Sequence, residues 1–129
     1  MTDPIADMIS RIRNAMAVGQ SKVVLPSSKT KEQVAKVLVA SGFLSDVKVS
    51  TGDKFKELEI VINEDGQSSR ITSIKRLSRP GQRRYVKAGN IPKVRRGRGM
   101  VVVSTSQGIM AGDDAKAKKL GGELVCEVY

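Results

Sequence analysis

The stretch Phe55-Lys56-Glu57-Leu58-Glu59-Ile60-Val61-Ile62 decides how the chain is read. Leu58, Ile60 and Ile62 alternate with Glu57, Glu59 and Val61, the period-two pattern of a half-buried strand. Leu44 to Ser50, just upstream, reads as a second strand, and Thr51-Gly52-Asp53-Lys54 supplies a turn that would join the two as a hairpin. Further back, Ser27-Ser28 offers an N-cap for a helix with Val34, Val37, Leu38 and Ser41 on one face, and Gly42 stops it. Pro26 ends a short strand, Val23-Val24-Leu25. Asp3-Pro4 is a good helix opening, and Ile5, Met8, Ile9, Ile12 and Met16 follow in steps of three and four up to Gly19. The first half therefore reads α-β-α-β-β.

Downstream, the polar run Asn63 to Ser69 marks a boundary. Ile71 to Leu77 reads as a strand, Pro80-Gly81 as a turn, and Tyr85 to Lys87 as a short strand. Met100 to Val103 is the clearest buried strand. Asp113 or Asp114 would cap a last helix through Lys119, and Gly121-Gly122 leads to a terminal strand, Glu123 to Tyr129. The expected fold class is α+β: an α-β-α-β-β subdomain over residues 1–66, packed against a mostly β subdomain over 67–129 with one short helix. No internal repeat or low-complexity tract interrupts it.

The chain has 129 residues, of which 40% are hydrophobic, enough to bury a core and to exclude a disordered basic tail. It contains no His, which removes the commonest general base and metal ligand. The single cysteine, Cys126, cannot form an internal disulfide, fits a reduced setting and reads as a packed thiol. The longest apolar runs are too short to span a bilayer, and Asp3 stands where a signal peptide carries positive charge. Neither secretion nor a membrane partner is expected. No phosphate loop, paired catalytic carboxylates or metal-ligand spacing is present, so neither an enzyme nor a cofactor or metal site is expected.

The net charge is +10, from 23 Lys and Arg against 13 Asp and Glu. Eleven of those cations, eight of them Arg, fall between Arg70 and Arg98, where there is no acid at all. The other twelve cations and thirteen acids nearly cancel. A solubilising surface mixes signs; a block of one sign, rich in flat guanidinium groups, suits a polyanion. Arg84, Lys87, Arg95 and Arg96 within it are candidate phosphate contacts. Tyr85 lies between cations in Arg83-Arg84-Tyr85-Val86-Lys87, where a ring can stack on an unpaired base or serve as a rim residue. With four aromatics in all, the composition favours folded RNA over bare single strands. Ser104-Thr105-Ser106-Gln107-Gly108 ends the Met100 strand in three hydroxyls and a turn glycine. Such groups can contact phosphate, ribose and base edges, or simply satisfy their own backbone. A DNA-binding reading is disfavoured because no helix carries the charge.

Several runs taken together resemble one known family from end to end. These are Thr2-Asp3-Pro4-Ile5-Ala6-Asp7-Met8-Ile9-Ser10-Arg11-Ile12-Arg13-Asn14-Ala15, Pro26-Ser27-Ser28-Lys29, Ser78-Arg79-Pro80-Gly81, Ile91-Pro92-Lys93-Val94, Val103 to Gly108 and Gly121 to Cys126. The chain resembles the eighth protein of the bacterial small ribosomal subunit. The resemblance implies a two-part α+β fold and direct binding to the central domain of small-subunit ribosomal RNA during assembly of the platform. It also implies repression of the protein's own operon through a similar RNA structure in the message. Implied neighbours are the fifth and twelfth small-subunit proteins, with the protein a cytoplasmic monomer inside the subunit. The family's RNA-facing positions fall on Ser104, Thr105, Ser106, Gly122, Glu123 and Tyr85. Thr2, Asp3 and Lys29 fall where the first half reaches the same RNA. Glu123, odd on a polyanion surface, is expected to fix the serine loop by accepting hydrogen bonds. Two departures stand out: Gln107 replaces a frequent Lys, and Ala111-Gly112 replaces a frequent capping Thr.

Overall fold

The computed structural model describes residues 3–51, 56–63, 70–95 and 98–129. The chain forms two compact units: Pro4–Ile71, and Asp3 together with Thr72–Tyr129. The expected boundary between residues 66 and 67 lies outside the described residues, as does most of the Thr51–Lys54 turn.

In the first unit, α1 (Pro4–Ala17) buries Ile5, Met8, Ile9, Ile12 and Ala15. Ala15 takes the inward place expected for Met16, which is half-exposed, because the α-helical repeat of 3.6 residues keeps positions 5, 8, 12 and 15 on one face. Gly19, at φ +76°, ends α1, with the Gln20 N–H on the Ala15 carbonyl at 2.8 Å. Strand β1 (Lys22–Pro26) leads to α2 (Lys29–Ala40), capped by the Ser28 hydroxyl, which accepts from the Lys31 N–H at 3.2 Å. The buried face of α2 is Lys31, Val34, Ala35 and Leu38; Val37 is half-buried and Ser41 exposed, unlike the face read from the sequence. Lys31 is tolerated there because its Nζ donates to the Pro26 carbonyl at 3.0 Å while its stem packs. Strands β2 (Asp46–Thr51) and β3 (Lys56–Val61) complete an antiparallel sheet in the order β1-β3-β2. Leu58 and Ile60 of β3 are fully buried, as their alternation required. Each such side chain contributes about 1.5–3 kcal/mol on burial.

The second unit is a sheet built around one strand. It contains β4 (Ile74–Arg76), β5 (Tyr85–Val86), β6 (Met100–Thr105), β7 (Gly108–Ala111), α3 (Gly112–Ala117) and β8 (Gly122–Val128). The order is β4-β8-β6-β7, with β5 also on β8, all antiparallel. The strand expected over Ile71–Leu77 shortens to three residues, because the Thr72 and Ser73 N–H groups turn to the Tyr129 carbonyl, at 2.6 and 2.9 Å. Strand β7 was not anticipated; it folds back on β6 through the turn at Gly108. No side chain caps α3: Ala111 holds the N-cap position, and Asp113 and Asp114 sit in the first turn, where the helix dipole favours them. The helix stops before Lys119, which takes a left-handed φ of +56°. Val101, Val103, Leu124 and Ala115 pack with Ile91 and Val94 as a core, and Cys126 is completely buried beside them in sequence. The α+β class expected from the sequence is the one observed. Among the described residues no helix is long and apolar enough to cross a membrane.

Candidate nucleic-acid interface

The pairing of β5, β8 and β6 assembles residues far apart in sequence. Tyr85 lies opposite Glu123, and Glu123 opposite Ser104; the next row is Val86, Gly122 and Thr105. Directly paired residues present their side chains on the same face, so Tyr85, Glu123 and Ser104 share one. A β-bulge sets this phase. Val102 pairs with Cys126 but Val103 with Leu124, leaving Val125 as the extra residue. Without it Ser104 would lie opposite Leu124, and the polar row would be broken. Gly122 is needed for the close approach of the strands, since a Cβ there would overlap the Ser104 carbonyl oxygen.

The hydroxyl triplet divides into two roles. Thr105 Oγ1 donates to the Gly108 carbonyl at 2.7 Å and accepts from the Gln107 N–H at 3.2 Å, bracing the turn. Gly108 adopts φ +119°, open only to glycine. No hydrogen bond among the described residues engages the hydroxyls of Ser104 or Ser106. Ser106 is exposed at the tip and Ser104 half-buried beside it. Tyr85 is 67% exposed.

Charge is sorted as tightly as the hydroxyls are. Glu123 is held by Arg83, whose Nη1 reaches the two carboxylate oxygens at 3.0 and 3.3 Å. That ion pair, rather than a bond to the serine loop, is the role the structure gives the carboxylate, so a negative group sits in the row largely neutralised. Asp3 is likewise engaged: Arg76 Nε donates to its Oδ2 at 3.1 Å, and Arg76 Nη1 to the Val125 carbonyl at 2.6 Å. Arg84 keeps its side chain exposed, while its backbone N–H donates to the buried Ser78 hydroxyl at 2.7 Å and its carbonyl accepts from the Leu124 N–H. Lys87 is exposed one residue beyond β5. Arg95 is exposed, with its guanidinium over the Tyr129 ring. Lys29 belongs to the first unit, exposed at the start of α2. Thr2 and Arg96 lie outside the described residues.

This arrangement can be set beside known proteins. The chain matches the family described as Ribosomal protein S8 over residues 3–129. The chain belongs to the ribosomal protein S8 family. A relative from Sorangium cellulosum (strain So ce56), named small ribosomal subunit protein uS8, is 46% identical over 131 residues, covering 100% of this chain and 99% of that protein. The proteins of the same name from Clostridium novyi (strain NT) and Enterococcus faecalis (strain ATCC 700802 / V583) are each 42% identical, with 100% of this chain and 98% of theirs aligned. The S8 family relation accounts for the quoted runs lying in the same order along the whole chain. Three structural residues were not singled out from the sequence: Arg83, Arg76 and Ser78. Arg83 and Arg76 were indistinguishable from the other cations of their block, since nothing local marks which arginine meets an acid forty or more positions away. Ser78 did sit in a quoted run, Ser78-Arg79-Pro80-Gly81, and its complete burial explains its use as the knot between β4 and β5. Among the described residues no group of three or more His, Cys, Asp or Glu could hold a metal ion.

Proposed function

We propose that this S8-family chain is a structural component of the cytoplasmic small ribosomal subunit that binds the central domain of small-subunit rRNA and helps to assemble the platform. The observation that carries this reading is the row of Tyr85, Glu123 and Ser104, with Ser106 at its tip. Such a surface offers a stacking ring and hydrogen-bonding hydroxyls side by side, the mixture that reads folded RNA. The carboxylate in its midst does not repel phosphate strongly, because Arg83 pairs with it. Arg84 and Lys87, exposed next to Tyr85, and Arg96 hold phosphates of the same RNA or of its neighbouring segments, and Lys29 reaches the same RNA from the first unit. The fifth and twelfth small-subunit proteins are its neighbours there, and a similar RNA fold in its own operon message is a second target, through which it represses translation. The chain acts as a monomer without cofactor and does no catalysis.

Chemical footprinting of full small-subunit rRNA tests the reading. Protection confined to a folded element of the central domain, resistant to excess duplex DNA, is the expected result. Protection spread evenly along the RNA, or removed by duplex DNA, would reduce the chain to a non-specific cation.

A further inference from the structure

Among the described cations of the basic block, Arg95 alone lies over an aromatic ring. Its Nη2 donates to the Tyr129 hydroxyl at 2.6 Å, and its Cζ lies 4.2 Å from the centre of that ring. Tyr129 is partly buried and packs against the core cluster that includes Val94 and Val101. Hydrogen bonds from Arg95 and Ser73 draw the phenol below its ordinary titration range, so the hydroxyl is well engaged on its own edge. The guanidinium is thus tied to Tyr129 twice, by its charge over the ring and by its N–H on the hydroxyl.

The backbone beneath it is fixed as well. Arg95 adopts φ +49°, a left-handed conformation that costs a side-chain-bearing residue energy and persists only where its surroundings impose it. The Gly99 N–H bonds the Val94 carbonyl and the Arg98 N–H the Arg95 carbonyl, each at 3.1 Å. Gly99 itself admits no Cβ, which would come within 2.5 Å of the Val128 carbonyl oxygen and of Val94 Cγ1, and 2.8 Å of Tyr129 Cβ. Arg95 is exposed and, among the described residues, has no carboxylate partner, whereas Arg76 and Arg83 are matched to Asp3 and Glu123. A flat cation, held by an aromatic side chain, exposed and uncompensated by a carboxylate of the described residues, presents a planar surface to the solvent. Arginine planes and aromatic rings are what unpaired bases stack on in folded RNA.

We propose that Arg95 and Tyr129 form a base-stacking platform that takes one unpaired nucleotide of the bound RNA, a second reading site besides the Tyr85 row. It rests on the RNA-binding reading above. The two differ in which substitutions they make costly. A lysine at position 95 keeps the charge that a phosphate needs and loses the plane that a base needs. Wild type, Arg95→Lys, Arg95→Ala, Tyr129→Phe and Ser106→Ala are compared for binding to a central-domain rRNA fragment at several salt concentrations, with melting temperature followed in parallel. The expected result is that Arg95→Lys weakens binding roughly tenfold, nearly as much as Arg95→Ala, without changing the salt slope. Tyr129→Phe, which keeps the ring, stays within about threefold of wild type on the same scale of stacking effects. If Arg95→Lys binds like wild type while Arg95→Ala lowers the slope by about one, the guanidinium holds a phosphate and the platform is wrong. Unchanged binding in both variants with a lower melting temperature would show a contact that only closes the turn. Binding that responds to Ser106→Ala but not to Arg95→Lys overturns this inference alone. Failure of wild type to bind overturns it together with the RNA reading.

Discussion

Side chains of one kind in this chain do different work, and hydrogen bonding decides which. Thr105 and Ser106 are neighbours with the same functional group, yet the Thr105 hydroxyl makes two bonds inside its turn and Ser106 stands exposed. Ser106→Ala is therefore expected to leave stability within about 0.5 kcal/mol and to weaken rRNA binding up to roughly tenfold, the range of one hydrogen bond. Thr105→Val should do the opposite first: it removes the brace and lowers stability by about 1 kcal/mol. Parallel urea melts and binding isotherms separate the two, and an unaltered Kd for Ser106→Ala would remove that residue from the interface. Cys126 offers a residue-scale test in pH. Burial pushes its thiol up to about 12 from an ordinary 9.0. Below pH 9 the thiol is protonated in both the folded and the unfolded chain, so the stabilising term is fully present. Between 9 and 12 only the unfolded chain gives up its proton, and stability falls by at most about 1.4 kcal/mol per pH unit. The advantage of wild type over Cys126→Ala in urea midpoint should shrink between pH 8 and pH 10.5. A constant difference would mean that the thiol is not buried as described.

At the scale of elements, the decisive feature is how closely β8 can approach β6. Gly122 lies opposite Thr105 with the Ser104 backbone where its Cβ would be. Gly122→Ala is expected to destabilise the fold by about 1–3 kcal/mol, the usual effect of overpacking, and to weaken RNA binding by shifting the Ser104 row. Thermal melts give the first effect and binding at a temperature where the variant remains folded gives the second; an unshifted melt would show that the strands can part without cost. Much of this level was readable in the sequence. The alternation at Leu58, Ile60 and Ile62 announces β3, and Gly19 and Gly42 end their helices with φ of +76° and +86°. What periodicity misses is short or long-range. Strand β7, Gly-Ile-Met-Ala, has all four residues half-buried, so no alternation marks it. The bulge at Val125 leaves three consecutive buried residues, Leu124 to Cys126, which look like a plain apolar run. The hydroxyl triplet was visible as a group, but its division into one brace and two open hydroxyls depends on the turn geometry at Gly108. Pairings such as Arg83 with Glu123 depend on which strands meet, and no local pattern encodes that.

For the whole molecule, the charge of +10 overstates what is available to a polyanion. Arg76 and Arg83, both inside the basic block, are bound to Asp3 and Glu123, the first pair with both side chains about 15% exposed. Among the described residues, two of the block's cations are therefore already matched to acids within the fold, and those left to the RNA include Arg84, Lys87 and Arg95. Counterion release makes this distinction measurable, because each phosphate contact contributes roughly one unit to the slope of log K against log salt. Charge reversal at Arg84 or Lys87 should flatten that slope by roughly one unit each without moving the melting temperature. Arg76→Gln should act the other way round. It removes the ion pair to Asp3 and one of the two hydrogen bonds that the Val125 carbonyl accepts, so stability falls by about 1–3 kcal/mol, while the slope stays that of wild type. If Arg76→Gln flattens the slope as much as the Arg84 reversal does, the Asp3 pair opens on binding and Arg76 turns to the RNA. In that case the cations matched in the free protein would be a reserve released by the RNA rather than part of the scaffold.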